Sequence, residues 1–202
     1  VIKIGAVGDV VLVGPSLRAI RERFPKAHIA VLVGSESRQI LQNCPYINEL
    51  IIYNKNFIKE NSRNFFNLAG KIRKLNFDIV VDFQNSLRSH LLSFVSAAPK
   101  RFGYKNKKFS FLLNYAIDGA KIDLPPVQHQ FRVLSLLQIP LKDDKLELWP
   151  DDADRGFVEG FLAGQWIVAG QPLVGVNIGG SLHWASKRLP KETMSALCDE
   201  LA

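Results

Sequence analysis

Cysteine is nearly absent: Cys44 and Cys198 are the only two in 202 residues. They stand far apart, without a Cys-x-x-Cys or Cys-His cluster, which argues against a structural zinc or a disulfide framework. Both are read as buried thiols, following the preference of free cysteine for interiors. No run approaches the roughly 18 unbroken apolar residues of a membrane span. No charged, apolar and small-residue leader precedes the first strand, so a cytoplasmic location is expected. Two nucleotide-binding signatures are missing as well. Gly5-Ala6-Val7-Gly8 is not G-x-G-x-x-G, and no G-x-x-x-x-G-K-[ST] occurs, which sets aside a dinucleotide fingerprint and a Walker A loop. There is no internal repeat of roughly 20 to 50 residues and no low-complexity tract. Acid is in deficit: the formal charge is +7 and the pI about 9.5. Such a balance asks for an anionic partner, whether nucleic acid, a phosphorylated small molecule or an anionic lipid surface.

What is present is an alternation of strands and helices. With 47% hydrophobic residues the chain has ample material for a core. An apolar strand over residues 1–4 runs through Gly5 and Gly8 into a helix led by Asp9. Val10, Val13, Leu17, Ile20 and Phe24 form its buried stripe, with Arg18, Arg21, Glu22 and Arg23 between them. Residues 27–33 read as a second strand, followed by a helix from Ser35 through Leu41. Glu49–Tyr53 reads as a third strand, and Phe65, Leu68, Ile72 and Leu75 mark the next helix. Asp78–Phe83 is a fourth strand, too continuously apolar for a one-sided sheet. A helix from about Ser86 to Ala97 follows, with Leu87, Leu91, Leu92, Phe94 and Val95 as its expected buried positions. This order predicts an α/β fold with a doubly wound parallel sheet. Past the Pro125-Pro126 pair, a helix is expected over 127–137. The acidic stretch from Leu141 to Asp154 is read as an interdomain crossing, followed by a helix over 152–166 and a strand over Leu173–Asn177. The chain starts inside a strand and stops within a helical pattern, and is expected to be a piece of a longer protein.

Three stretches carry candidate chemistry. Asp9, at the mouth of a strand-to-helix turn, is either a helix N-cap or a catalytic carboxylate that accepts a proton from a hydroxyl. Lys100 to Lys108 holds Lys100, Arg101, Lys105, Lys107 and Lys108 and no acid, interleaved with Phe102, Gly103 and Tyr104. It is either a solvated charge run or a loop that grips an anionic ligand with its aromatics stacked on it. The stretch from Ile178 to Pro190 combines Gly179, Gly180, Ser181, Ser186, Lys187 and Arg188 ahead of a proline-started helix. It is either a plain turn or a diphosphate site. His183 in the same loop is read as an exposed spectator.

Taken together these stretches resemble the family-9 glycosyltransferases, the bacterial ADP-heptose:lipopolysaccharide heptosyltransferases. The resemblance is carried by Ile4-Gly5-Ala6-Val7-Gly8-Asp9-Val10-Val11 with residues 15–20 behind it, and by Asp82-Phe83-Gln84-Asn85-Ser86-Leu87-Arg88-Ser89. It continues through Arg101-Phe102-Gly103-Tyr104, then Asn177-Ile178-Gly179-Gly180-Ser181 with Trp184 and residues 186–190. Leu189 stands where the family commonly has tryptophan, and Ile178 where proline or valine is usual. The resemblance implies a GT-B fold, with residues 1–150 an acceptor-binding Rossmann-like domain and residues 151–202 the beginning of an incomplete donor-binding one. The family's later Asp-x-Gly-x-x-His type segment has no counterpart, so this stretch is expected to be inactive alone. By the same analogy the reaction is an inverting heptosyl transfer from ADP-heptose to the anionic lipopolysaccharide inner core. Asp9 corresponds to the general base, Lys187 binds the donor diphosphate, and Gly180 and Ser181 line that phosphate site. Arg88, Arg101 and Lys105 are expected acceptor contacts. No essential metal or other cofactor is expected, and no nucleic acid. The location implied is cytoplasmic, peripheral on the inner face of the bacterial inner membrane. The rival reading from another class is a non-catalytic basic domain that uses the 100–108 stretch on nucleic acid. A second rival is a GT-B transferase of another nucleotide sugar.

Overall fold

Ala30-Val31-Leu32-Val33-Gly34 is buried at every position, which a strand achieves only when both faces of its sheet are covered. It is the second strand of a layered α/β unit. The computed structural model describes residues 1–55, 62–106, 109–119, 122–165, 167, 170, 172–177, 179 and 189–201. Two units divide the chain, Val1–Asp152 and Ala153–Ala202. The first runs β1 (Ile2–Lys3), α1 (Val7–Val11), α2 (Gly14–Arg23), β2 (Ala30–Gly34), a 3-10 turn (Ser35–Ser37), α3 (Arg38–Leu41) and β3 (Glu49–Tyr53). It continues with α4 (Ser62–Lys74), β4 (Ile79–Val81), α5 (Leu87–Val95), β5 (Lys100–Lys105), a second 3-10 turn (Ser110–Leu112), β6 (Tyr115–Asp118) and α6 (Pro126–Ser135).

All strand pairings are parallel. Ile2 pairs with Leu32 and Leu32 with Ile51, while Val81 pairs with Phe102 and Gly103 with Ala116. The two three-stranded ladders meet at a parallel bridge from Ile2 to Asp82, where the Phe83 amide donates to the Ile2 carbonyl at 3.0 Å. The resulting order is β3-β2-β1-β4-β5-β6, the Rossmann order. Alternate residues of β2 enter different cores. Val31 and Val33 pack with Val10, Val13, Leu17, Ile20 and Leu41 and with Phe131 and Leu134 of α6. Ala30 and Leu32 pack with Ala69 and Ile72 of α4 and Leu92 of α5. The sheet is therefore doubly wound, as the unbroken apolar runs predict.

Several expectations are corrected. The helix expected over Asp9 to Phe24 is two helices, because Pro15 has no N–H to donate back to Val11 and a helix cannot run through it unbroken. Pro15 sits instead in the first turn of α2, where its missing donor costs nothing. The apolar stripe survives the break, with Val10, Val13, Leu17 and Ile20 all buried. Residues 100–105 are not a loop but β5, in the interior of the sheet. Phe102 and Tyr104 are each 3% exposed; Phe102 stacks on Tyr115 and Tyr104 on His129. Neither ring can serve as a platform for a ligand. Lys107 and Lys108 lie outside the described residues.

The phase of α5 also differs. Leu87 and Phe94 are exposed, and the buried face is Ser89, His90, Leu92 and Ser93. Ser93 Oγ donates to the Ser89 carbonyl at 2.8 Å and Ser96 Oγ to the Ser93 carbonyl at 2.6 Å. These local bonds satisfy the buried hydroxyls and let a face with little apolar bulk press onto the sheet.

The second unit holds α7 (Asp152–Gly164) and α8 (Lys191–Leu201). Residues 173–177, expected as a strand, are unpaired coil, since a strand needs a neighbouring ladder and none stands beside them among the described residues. Cys198 on α8 is exposed, against expectation, while Cys44 is buried. None of the described residues of α8 is buried, so its sulfur has no apolar wall to enter. Burial pushes the Cys44 thiol up to about 11, and a thiol disarmed in that way does not react at neutral pH. A thiol-reactive dye at pH 7.5 is accordingly expected to label Cys198 within minutes and Cys44 only after denaturation. Labelling of both sites in the native protein would contradict the placement of Cys44.

Candidate functional site

In an open parallel sheet the loops leaving two neighbouring strands diverge where the winding direction reverses, and a crevice opens beyond the strands' C-terminal ends. Here the reversal lies between β1 and β4, because the chain winds outward from β1 to β3 and then returns to place β4 on β1's other side. The loops that border this point are residues 4–9 after β1 and residues 82–88 after β4.

Asp9 lies on the first of them. It is not the N-cap: Ala6 holds that place and caps nothing with its side chain. Asp9 falls in the first turn of α1 and is exposed, so the N-cap position weighed from sequence is overturned while the place where an acid complements the helix dipole is kept. Its carboxylate folds back over Gly5, where a Cβ would stand 2.7 Å from Asp9 Oδ2. A side chain at position 5 would push the Asp9 carboxylate out of that place, whereas a Cβ on Gly8 would meet nothing within 4 Å.

The second loop is built from Asp82. Its Oδ1 accepts from the Gln84 amide at 2.8 Å and the Asn85 amide at 3.1 Å, an Asx turn that swings the chain off the strand. Asn85 takes a left-handed backbone with φ 54°. Ser86 then caps α5 in a reciprocal box, with the Ser89 amide donating to Ser86 Oγ at 3.2 Å and the Ser86 amide to Ser89 Oγ at 3.0 Å. The two loops are joined directly, because the Ile4 amide donates to Gln84 Oε1 at 2.9 Å. A third loop is tied in where the Asn106 amide group, just past β5, donates to Asn85. Asp82 itself is wholly buried, and so is His90, whose Nε2 stands 3.6 Å from Asp82 Oδ2. Burial pushes the Asp82 carboxyl above the usual carboxylate range, opposed by the Ser89 hydrogen bond and the charge of His90.

Of the expected acceptor contacts, Arg88 is exposed in the first turn of α5 and Lys105 is exposed at the C-terminal end of β5. Both belong to the same rim as Asp9. Arg101 does not. It pairs with Val80 near the start of β5, where its guanidinium donates to the Leu112 carbonyl at 2.8 Å and the Ala98 carbonyl at 2.6 Å and lies over the Phe94 ring. Gly180, Ser181 and Lys187 lie outside the described residues, as does His183. Among the described residues no group of three or more His, Cys, Asp or Glu is clustered to hold a metal, and no helix is long and apolar enough to cross a membrane. A cavity of about 460 Å³ opens near the N-terminal ends of β1, β2 and β4, lined largely by apolar groups such as Ile20, Phe24, Ile72 and Leu92. It is lined by none of the residues 4–9 or 82–88, and no Lys or Arg stands in its walls.

Sequence reasoning named Gln84 and Asn85 only as part of the Asp82–Ser89 motif, without a role, and passed over Asn106. The signal was an acid closing an apolar strand and followed by Gln-Asn-Ser, which is turn chemistry; Asn106 had no signal, because its role depends on two strands being neighbours.

The same architecture recurs in solved proteins. A family 9 glycosyl transferase from Veillonella parvula DSM 2008 superposes with a TM-score of 0.87 at 22% identity, covering 99% of this chain and 58% of that one. E. coli ADP-heptose lps heptosyltransferase II gives a TM-score of 0.69 at 22% identity, over 98% of this chain and 60% of that one. E. coli heptosyltransferase WaaC, solved with ADP-2-deoxy-2-fluoro heptose, gives 0.62 at 16% identity, over 72% of this chain and 50% of that one. Identities this low speak to the fold alone, and the α/β fold of GT-B type expected from the sequence is the one they share. A Haemophilus influenzae protein described as a glycosyltransferase is 25% identical over 117 residues, 58% of this chain and 33% of its own length. The chain thus spans about a third of that relative and little more than half of the Veillonella protein. Residues 65–202, more than half of the chain, match the model of glycosyltransferase family 9 (heptosyltransferase), and this chain belongs to that family.

Proposed function

We propose that the protein of which this chain is part is an inverting glycosyltransferase that moves a heptose from ADP-heptose to an anionic lipopolysaccharide inner-core acceptor. The observation that carries the reading is the joining of the Asp9 loop to the 82–88 loop at the switch point, through Ile4 and Gln84. In this reading residues 1–150 hold the acceptor and the unit beginning at residue 151 starts the donor domain. An acceptor hydroxyl enters the crevice and its oxygen attacks the anomeric carbon from the side opposite the diphosphate. Asp9 takes the hydroxyl proton as the new C–O bond forms and the bond to the leaving ADP breaks, in one displacement that inverts the centre. Lys187, with the backbone and hydroxyl of Gly180 and Ser181, offsets the negative charge that gathers on the departing diphosphate. That device needs no metal. Arg88 and Lys105 meet the anionic acceptor from the same rim.

The charge pattern supports an anionic acceptor held at a lipid surface. Residues 61–117 contain ten Lys and Arg residues against two acids, Asp78 and Asp82, and Asp82 is buried. The same span exposes Phe66, Phe94, Phe109 and Phe111. Cations beside exposed rings suit peripheral binding at an anionic membrane face. The nucleic-acid alternative loses its stacking platform with the burial of Phe102 and Tyr104.

A panel of nucleotide sugars tests the donor. With the full-length protein and an inner-core acceptor, ADP-heptose is expected to give product where other ADP- and UDP-sugars do not; turnover with a different donor alone would replace heptose in this account. Lys187→Ala is expected to weaken ADP-heptose binding by about 10- to 100-fold, the worth of one hydrogen bond to a charged group. Calorimetric titration showing an unchanged Kd would remove Lys187 from the diphosphate site.

A further inference from the structure

We propose that Asp82 is a positioning residue: its buried carboxylate sets the wall of the acceptor crevice by holding the Gln84–Asn85 turn, without itself touching substrate. The inference rests on the reading of the crevice as the acceptor site. Asp82 is 0% exposed, so keeping a carboxyl there is costly unless its oxygens have partners. Oδ1 takes the amides of Gln84 and Asn85; Oδ2 accepts no hydrogen bond among the described residues and stands 3.6 Å from His90 Nε2, so the turn amides are what hold the group in place.

Those two amide bonds reach all three loops around the crevice. Through Gln84, whose Oε1 accepts the Ile4 amide, they fix where β1 ends, immediately before Gly5 and Asp9. Through Asn85, whose left-handed backbone few side chains adopt unaided, they fix the partner of Asn106 at the end of β5. Gln84 is only half-buried. With its oxygen committed to Ile4, its amide nitrogen keeps donors for a sugar hydroxyl beside Asp9. The neighbouring strand leaves little room beside it: a Cβ on Gly103 would stand 2.7 Å from Leu113 Cδ1, 3.2 Å from the Asp82 carbonyl oxygen and 3.4 Å from Asp82 Cβ. A carboxylate used in this way acts on how the acceptor is presented, not on the chemistry at the anomeric carbon.

The test compares Asp82→Ala with Asp82→Asn in the full-length protein. An asparagine oxygen accepts the same two amides, whereas alanine accepts none. Asp82→Ala is expected to raise the acceptor KM about tenfold, in line with the loss of two bonds, with the donor KM and kcat at saturating acceptor within about twofold. Asp82→Asn is expected to stay within about threefold of wild type in all three. Amide exchange at Gln84 and Asn85, followed by NMR, should quicken in Asp82→Ala and not in Asp82→Asn. If Asp82→Ala does not fold, Asn85→Gly substitutes for it, because glycine keeps the left-handed backbone while the side-chain link to Asn106 is lost; the same selective rise in acceptor KM is expected. An unchanged acceptor KM, equal losses in both Asp82 variants, or unchanged exchange at Gln84 and Asn85 would overturn the proposal. If the wild-type protein transfers no heptose, the functional reading falls, and the exchange measurement still decides whether Asp82 holds the turn.

Discussion

Asp9→Asn is expected to lower kcat of the full-length protein by about 10²- to 10⁴-fold, the range supplied by a positioned general base, or roughly 3–5 kcal/mol of barrier. Asparagine matches aspartate in shape and keeps an acceptor oxygen, so packing over Gly5 is preserved. What it lacks is a site for the acceptor's proton. Asp9 is exposed in the first turn of a short helix, so the exchange leaves the buried stripe of Val10, Val13 and Leu17 untouched. Affinity for ADP-heptose is expected to stay within about twofold, since the groups proposed for the diphosphate stand on the other loop. A steady-state assay of ADP release with acceptor present checks both numbers. Turnover within a few-fold of wild type would end the assignment of Asp9 as base, while a matching loss of donor affinity would move Asp9 to donor binding.

Leu17→Ala is expected to cost about 3 kcal/mol of stability and to lower Tm by something on the order of 10 °C. Leu17 is fully buried at the centre of α2, in the core that also takes in β2 and α6. One turn of the same helix is locked from the other side, where Ser16 Oγ donates to Gln130 Oε1 of α6 at 3.1 Å, both residues buried. Helices held by such a bond cannot slide together to refill the lost volume, which places the cost above that of simple transfer to water. The expected loss is read from urea midpoints by far-UV circular dichroism. A change below about 1 kcal/mol would mean that α2 is not packed as described.

How far the fold was legible follows from which forces wrote it. Burial writes a local pattern, and the runs at 27–33, 49–53 and 78–83 announced β2, β3 and β4 because strands covered on both faces cannot alternate. The 100–105 segment defeated the same reading. Lys100, Arg101 and Lys105 at its ends looked like a solvated loop, yet the three residues between them are buried, and the cations sit where the strand leaves the sheet. β6 escaped because its apolar run is only Tyr115, Ala116 and Ile117, too short to mark a strand, on an edge where most of its side chains are exposed. In α5, Leu87 and Phe94 advertised the wrong face, since cap geometry and buried serines set its rotation, not hydrophobicity. The site divided along the same line. Asp9 stood out because a glycine-flanked turn after a first strand is visible in sequence, whereas the roles of Gln84, Asn85 and Asn106 depend on which strands are neighbours. Arg101 had the composition of an anion contact and the position of a strand brace.

The central claim is that the acceptor occupies the crevice between the loops after β1 and β4. Hydrogen–deuterium exchange of the full-length protein, with and without a deacylated inner-core oligosaccharide, tests it most directly. Slowed exchange at residues 4–11 and 82–92 and at the end of β5 around Lys105, with the start of β5 around Lys100 and Arg101 unaffected, is the result this account predicts. Protection that falls on the opposite edge of the sheet, or an oligosaccharide at saturating concentration that slows neither loop, would contradict it.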